Sequence, residues 1–201
     1  LNNAFSESAE GDIKTLVPLM YGVLLVVMIV LLRSVTGTFA TLMVIGLSAS
    51  TAMGLTGWFG ILLTPPSVTA PTIILTLAIA DSIHVLVTMF HEMRRGASKQ
   101  DALIESLRVN FHPVFLTSLT TAIGFLSLNF SDAPPFRDLG NITAMGVIAA
   151  WIYSIVFLPA LMAVLPVRVK QVANGKSTAM DRVADFVIGR RRPLLWGTAI
   201  V

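Results

Sequence analysis

An all-α bundle of transmembrane helices is the fold class this sequence predicts, and three observations predict it. Apolar residues make up 55% of the 201-residue chain and charged residues only 12%, whereas soluble domains carry about 25% charged residues. The apolar residues gather into runs of roughly 20, the length that crosses a ~30 Å hydrocarbon layer. The basic residues collect in alternate connections between those runs, as they do in polytopic membrane proteins.

Five full spans and a truncated sixth follow in order. Leu1–Lys14 is polar, and the chain opens without an initiator Met, so it reads as an internal piece of a longer protein. The first span is Thr15–Leu32, with Pro18 in its opening turn, and the second is Thr36–Phe59. A short, nearly uncharged connection, Gly60–Val68, holds Pro65-Pro66 and leads to the third span, Thr69–Phe90. The basic segment His91–Phe111 follows. Within it Ser98-Lys-Gln-Asp101 predicts a capped surface helix to about Asn110, with Ala102, Leu103 and Leu107 on one face. The fourth span, His112–Phe130, places Pro113 in a first helical turn. The connection Ser131–Asp138 holds Pro134-Pro135, and the fifth span, Leu139–Leu165, should kink at Pro159. The basic linker 166–192 contains an amphipathic stretch, Thr178–Ile188, with Met180, Val183, Ala184 and Val187 on one face. Residues 193–201 begin another apolar run.

These boundaries place Arg33, Arg94, Arg95, Lys99, Arg108, Arg168, Lys170, Lys176, Arg182, Arg190, Arg191 and Arg192 on one side. Only Lys14 and Arg137 fall on the other. The basic side is expected to be cytoplasmic, with both Pro-Pro connections and residues 1–14 outside. The net charge of +3 is thereby a matter of membrane topology rather than of nucleic-acid binding. The chain has no Cys, which excludes disulfides and thiolate metal sites.

The third span carries the chemistry. Its only ionisable residues are Asp81 and His84, and Asp81 lies roughly 18 Å from the start of the span, near the bilayer mid-plane. An acid at that depth costs about 2.5–3.5 kcal/mol on insertion scales, which marks it as a proton-relay candidate. Asp81, His84, Thr88 and His91 are spaced 3, 4 and 3 residues apart and share one helix face. They form a polar file from mid-membrane to the basic end, while Ala78, Leu77 and Ile74 continue the face as a dry stripe. The fourth span is rich in hydroxyls: Thr117, Ser118, Thr120, Thr121 and Ser127. Thr120 lies at the depth of Asp81 when both are counted from the basic side, so a threonine of this span is the expected partner of the carboxyl. Thr117, Thr121 and Gly124 also form small-residue packing patterns, as do Gly46, Ser50 and Gly54 in the second span. Trp58, Trp151 and Tyr153 read as belt or bundle aromatics.

Other chemistries fit less well. Asn174-Gly175-Lys176-Ser177-Thr178 resembles a P-loop ending, but Lys170 occupies the position its upstream glycine requires. His84, His91 and Glu92 match no strong metal signature. A membrane aspartyl protease needs a second membrane acid. A rhomboid-like serine protease needs a Gly-x-Ser nucleophile facing a His, and no such pairing occurs. No cofactor, metal or enzymatic activity is expected.

The third to fifth spans resemble the resistance-nodulation-division (RND) superfamily, in particular its predicted-exporter and MMPL-type branches. The matching residues are Ala80-Asp81-Ser82-Ile83-His84-Val85-Leu86, Arg94-Arg95-Gly96, Asp101-Ala102-Leu103, Leu116-Thr117-Ser118-Leu119-Thr120-Thr121-Ala122-Ile123-Gly124-Phe125-Leu126-Ser127-Leu128 and Phe157-Leu158-Pro159-Ala160-Leu161. By that resemblance the five spans are helices two to six of a twelve-helix, pseudo-repeated transporter in a bacterial inner membrane. Residues 1–14 would end an extracytoplasmic domain, and Pro193 would open helix seven. The resemblance implies proton antiport that exports hydrophobic or amphipathic compounds. Asp81 would carry the proton with His84, supported by Ser82, Thr88, Thr117, Thr120 and Thr121. Membrane lipids, a lipid-like substrate and the second helical repeat of the same chain would be its partners, with homo-oligomerisation left open. Many relatives have Gly-x-Gly-x-Asp-Tyr at the acid. Here Leu77-Ala-Ile79-Ala-Asp81-Ser82 implies less close backbone approach, with Ser82 replacing the tyrosine hydroxyl only in part. Two alternatives remain: a SecD/SecF-like translocation accessory, and a lipid sensor like the sterol-sensing domains.

Overall fold

The computed structural model describes residues 34–167 continuously, most of residues 19–32, and residues 186 and 188–190. It comprises two units, Leu1–Lys170 and Gln171–Val201. The first contains α1 (Tyr21–Val30), α2 (Val35–Trp58), α3 (Ala70–Arg94), α4 (Lys99–Leu126), α5 (Pro134–Ile152) and α6 (Leu158–Val164). Single 3-10 turns, Ser67–Thr69 and Ser127–Phe130, introduce α3 and close α4. A π-helical turn, Tyr153–Phe157, joins α5 to α6. No strand occurs among the described residues. Four stretches are long and apolar enough to cross a membrane: Val35–Trp58, Ser67–Arg94, Lys99–Phe130 and Pro134–Val164. They correspond to the second to fifth spans, as an all-α membrane bundle requires.

Local chemistry sets the helix ends. Ser34 caps α2, its Oγ accepting from the Gly37 amide at 3.2 Å. Gly60 and Gly96, just beyond α2 and α3, have φ of +66° and +100°, a region where an L side chain is strained and glycine is not. Ser98 caps α4 as its sequence predicts. Its Oγ accepts from the Asp101 amide at 3.2 Å, and its hydroxyl donates to the Asp101 carboxylate at 2.6 Å.

Two expected boundaries shift, and a π-turn forms near Pro159. The surface helix and the fourth span are one helix, Lys99–Leu126, with Pro113 inside it rather than in its first turn. The loss of one backbone bond at Pro113 is outweighed by packing on both sides of it. Ser106 and Asn110 before the proline, and Ser118 after it, all bond to α3, so both halves are held against the same neighbour. The fifth span begins at Pro134, within the expected Ser131–Asp138 connection. Prolines suit a first turn whose N–H groups need no partner, and Arg137 Nε donates to Ser131 O at 2.8 Å to close the entry. Near Pro159 the helix relaxes into the π-turn, where the Leu158 amide bonds Tyr153 O. This is the local adjustment that a proline without an N–H and with a bulky ring induces upstream.

The third span is the most buried of the four, and α3 packs against α2, α4 and α5. The core joins Val44 of α2 to Leu75, Val85, Leu86 and Met89 of α3, and to Leu158 and Met162 of α6, with Met28 and Leu32 from the first span. Close helix approaches occur at Gly37 against the Phe90 ring, at Gly140 against Phe125 O, and at Gly146 against Ile74 and Ala52. The expected packing stripe Gly46, Ser50 and Gly54 is exposed instead, as is Gly124, and none of the three glycines has a heavy atom within 4 Å of an added Cβ. The inward face of α2 carries Thr41, Val44, Ser48, Ala52 and Thr56. Small residues mark a face where helices can approach closely, but in α2 two such stripes compete and the bundle takes the other. At the basic end Lys99 Nζ donates to Ala163 O at 2.7 Å and Leu165 O at 2.8 Å. The start of α4 thereby caps the carbonyls at the end of α6.

In the second unit Phe186 and residues 188–189 are helical, and the Arg190 guanidinium lies 5.3 Å from the Phe186 ring centroid. All four residues of the predicted amphipathic face, Met180, Val183, Ala184 and Val187, and the run beginning at Pro193, lie outside the described residues.

Candidate functional site

The α4 residues facing the bundle recur every fourth position: Ala102, Ser106, Asn110, Val114, Ser118 and Ala122, all buried. They are small or polar, and four-residue spacing holds them on one slowly drifting stripe. That stripe lies along α3 and supplies every side-chain hydrogen bond between the two helices among the described residues.

Asp81 is buried, with 4% of its surface exposed. The Ser118 hydroxyl donates to Asp81 Oδ2 at 3.2 Å. Serine is a neutral donor, and among the described residues no cation pairs with the carboxyl. The ion pairs among the described residues, Arg95–Glu92 and Arg108–Glu105, are in the basic loop and at the start of α4, and Asp81 joins neither. The contact between α3 and α4 thus holds an acid and small hydroxyls, with Ala78 and Val85 of α3 in the apolar core one turn to either side of Asp81. Chemically the carboxyl can accept a proton and lose it again. Among the described residues there is no cluster of His, Cys, Asp and Glu suited to a metal.

Toward the basic end a second polar group joins the helices. Asn110 Nδ2 donates to Thr88 Oγ1 at 2.9 Å and to Ser106 O at 2.8 Å, and Thr88 Oγ1 in turn donates to His84 O at 3.0 Å. Ser106 Oγ donates to Val85 O. The polar file on α3 is therefore divided. Asp81 faces the interior, Thr88 is half-buried against Asn110, and His84 and His91 are exposed.

The expected threonine partners of Asp81 do not reach it. Thr117 Oγ1 donates to Pro113 O at 2.8 Å, Thr120 Oγ1 to Leu116 O at 2.9 Å, and Thr121 Oγ1 to Thr117 O at 2.7 Å. Thr117 and Thr120 are exposed and Thr121 half-buried. Direction around the helix separates them: two residues beyond Ser118, Thr120 is turned about 200°. Ser82 is fully buried beside Asp81, and its hydroxyl has no partner. Ser118, Asn110 and Ser106 are the residues that depth counting did not single out. The four-residue repeat from Ala102 to Ala122 is the signal that finds them.

The aromatics serve packing. Trp151 lies 5.3 Å from Phe115 and 6.1 Å from Phe111, centroid to centroid. Trp58 stands exposed at the end of α2, and Tyr153 OH shares a 2.9 Å hydrogen bond with Thr51 Oγ1.

The chain is 25% identical over 141 residues to the membrane protein MJ1562 of Methanocaldococcus jannaschii, covering 70% of this chain and 36% of that protein. It is 27% identical over 165 residues to the hopanoid transporter HpnN of Rhodopseudomonas palustris, covering 82% of this chain and 19% of the transporter. It is 31% identical over 74 residues to the membrane protein SCO0839 of Streptomyces coelicolor, covering 37% of this chain and 10% of that protein. The chain thus spans about a third or less of the length of these relatives. The model of the MMPL family matches residues 1–197, nearly the whole sequence, and with the buried acid of α3 and the helical membrane bundle around it, the chain belongs to the MMPL family.

Proposed function

We propose that this chain forms part of an RND-type secondary transporter in which Asp81 takes up and releases the proton that drives export. The observation that carries the reading is the buried Asp81 carboxyl, held by one neutral hydroxyl from Ser118 in an apolar bundle. An acid kept for stability alone would gain more from a cation or from several donors, because burying an uncompensated charge is costly. A single neutral donor accommodates both protonation states. His84, Thr88 and Asn110 provide polar groups between Asp81 and the basic end, the route by which the proton leaves toward the cytoplasm.

The cargo on this reading is a hydrophobic or amphipathic, lipid-like molecule. The relative named a hopanoid transporter supports that class. The basic connections face the cytoplasm of a bacterial inner membrane, in keeping with their charge. The rest of a longer chain, including a second helical repeat, covers the exposed hydroxyl face of α4 at Thr117, Thr120, Thr121 and Gly124, and the small-residue face at Gly46, Ser50 and Gly54. Small and hydroxyl residues on a membrane helix suit a neighbouring helix better than lipid.

The test is Asp81→Asn in the full-length protein. The variant should insert into the membrane at the wild-type level and lose proton-coupled export of a lipid-like substrate. Export at the wild-type rate overturns the mechanism.

A further inference from the structure

The two connections at the end of the bundle opposite the basic loop differ in kind. Between α4 and α5 the chain is polar: Asp132 is exposed, and Arg137 Nε donates to Ser131 O at 2.8 Å. Between α2 and α3 it is apolar, and no Asp, Glu, Lys, Arg or His occurs from Ser34 to Ala80. Its large side chains are nevertheless uncovered: Phe59 is 65% exposed, Leu62 76% and Leu63 56%. Such neighbouring residues gather apolar surface that a water-facing loop rarely presents.

The backbone of this connection depends little on water. The Phe59 amide donates to Leu55 O at 2.9 Å, the Gly60 amide to Gly57 O at 3.3 Å and the Ile61 amide to Thr56 O at 3.0 Å. With Gly60 at φ +66°, the last two bonds form the paired closure that ends a helix and turns the chain sharply. Further on, the Thr64 amide donates to Ser67 Oγ at 2.7 Å, and the Ser67 hydroxyl donates to Thr64 O at 2.9 Å. The Val68 and Thr69 amides donate to Thr64 O and Pro66 O, each at 3.2 Å. Pro65 and Pro66 have no N–H to satisfy. Of the described amides from Phe59 to Thr64, those of Leu62 and Leu63 alone lack a protein partner. A chain that meets lipid must satisfy its backbone from within in this way.

We propose that the connection does not stand in water but is seated in the bilayer leaflet opposite the basic end, with Phe59, Leu62 and Leu63 inserted among the lipid chains where these meet the headgroups. The length of α2 agrees: 24 residues span about 36 Å, which crosses a ~30 Å hydrocarbon layer and ends within the headgroup zone. Exposed Leu47 and Leu55 of α2, at helical spacing from Phe59, continue the apolar line down the helix into the membrane. The open Leu62 and Leu63 amides lie at the level where water and lipid ester carbonyls accept hydrogen bonds. Charged residues are absent from the one connection that needs to be free of them, while Asp132 and Arg137 mark the other as water-facing. The inference requires only that the helices cross a bilayer, and does not depend on Asp81 carrying a proton.

Nitroxide labels read the surroundings of the loop directly. Leu62→Cys, Leu63→Cys and, for the polar connection, Asp132→Cys are labelled one at a time in a cysteine-free full-length protein in lipid nanodiscs. Collisions with molecular oxygen, which dissolves in lipid, are compared with collisions with a nickel chelate, which stays in water. The oxygen-to-nickel ratio at positions 62 and 63 should exceed that at 132 severalfold. A ratio equal to that at 132 places the loop in water and overturns the proposal. Exclusion of both reagents overturns it as well, because the patch is then covered by protein, from another part of the chain or from a second copy. Each of the two positions decides alone if the other variant fails to accumulate. Should both fail, the fluorescence added by Phe59→Trp decides: quenching by lipids brominated on their acyl chains supports the seated loop, and unchanged emission overturns it. Asp81→Asn failing to stop export would sink the transport reading and leave this result unchanged.

Discussion

Two faces of α4 are made of nearly the same residues and do different things. Ser118 and Thr120 are two positions apart and at almost the same depth. Ser118 donates to the buried acid of α3, while Thr120 is exposed and bonds the carbonyls of its own helix. Gly140 of α5 is pressed against Phe125 O of α4, whereas Gly124, one residue earlier on α4, meets nothing. Residue type and depth are shared. What separates the faces is the direction around the helix, which decides whether a hydroxyl serves a neighbour or itself.

Substitutions should show the same asymmetry. Gly140→Ala puts a methyl group against a backbone oxygen and against Leu128 Cβ at 3.0 Å, and should cost about 1–3 kcal/mol, read as a lower unfolding midpoint. In this bundle without the second repeat, where nothing lies within 4 Å of an added Cβ, Gly124→Ala should leave stability within a few tenths of a kcal/mol or raise it slightly, since Ala favours helix over Gly. Equal losses at both positions would show that something also covers the outer face in the full protein, which is the arrangement proposed above for the second repeat.

Asn110→Ala removes two donors at once and leaves Thr88 Oγ1 and Ser106 O without them. A loss of about 1–2 kcal/mol is expected in the same measurement. Asn110→Asp, which keeps the shape but loses the donating amide when ionised, should be no better than Ala. Ser118→Ala should slow proton-coupled export on the order of three- to tenfold, matching a membrane hydrogen bond worth roughly 0.6–1.4 kcal/mol, whereas Thr120→Ala should leave the rate near wild type. The reverse order would mean that the carboxyl pairs with the outer face. A modest effect is expected from Tyr153→Phe, which gives up one hydrogen bond to Thr51 and should shift stability by about 0.6 kcal/mol.

The same distinction explains what the sequence shows and what it hides. The spans, their order and the buried acid follow from hydropathy and spacing, because a ~30 Å apolar layer imposes length directly. The cap at Ser98 is equally legible, since it is decided within four residues. Depth along a helix is arithmetic, and it correctly set the fourth span opposite Asp81. Direction around the helix is a tertiary outcome. The hydroxyls of Thr117, Thr120 and Thr121 are as plausible as that of Ser118 until α3 and α5 choose a face, and Gly46-Ser50-Gly54 looks like a seam until Thr41, Ser48 and Ala52 turn inward instead. The surface helix and the fourth span merge for a related reason. Pro113 signals a start when read locally, but contacts on either side of it keep the helix continuous.

That merged helix has a mechanical consequence. With 28 residues it is about 42 Å long. Its first residue, Lys99, grips the end of α6, and Ser118, some 28 Å further on, grips the carboxyl of α3. A rod anchored in this way cannot tilt at one end without displacing the other. A push on the basic loop from any protein or lipid headgroup outside the bilayer would therefore be felt at the acid as a change in one hydrogen-bond length, with no need for a chain of moving side chains between them.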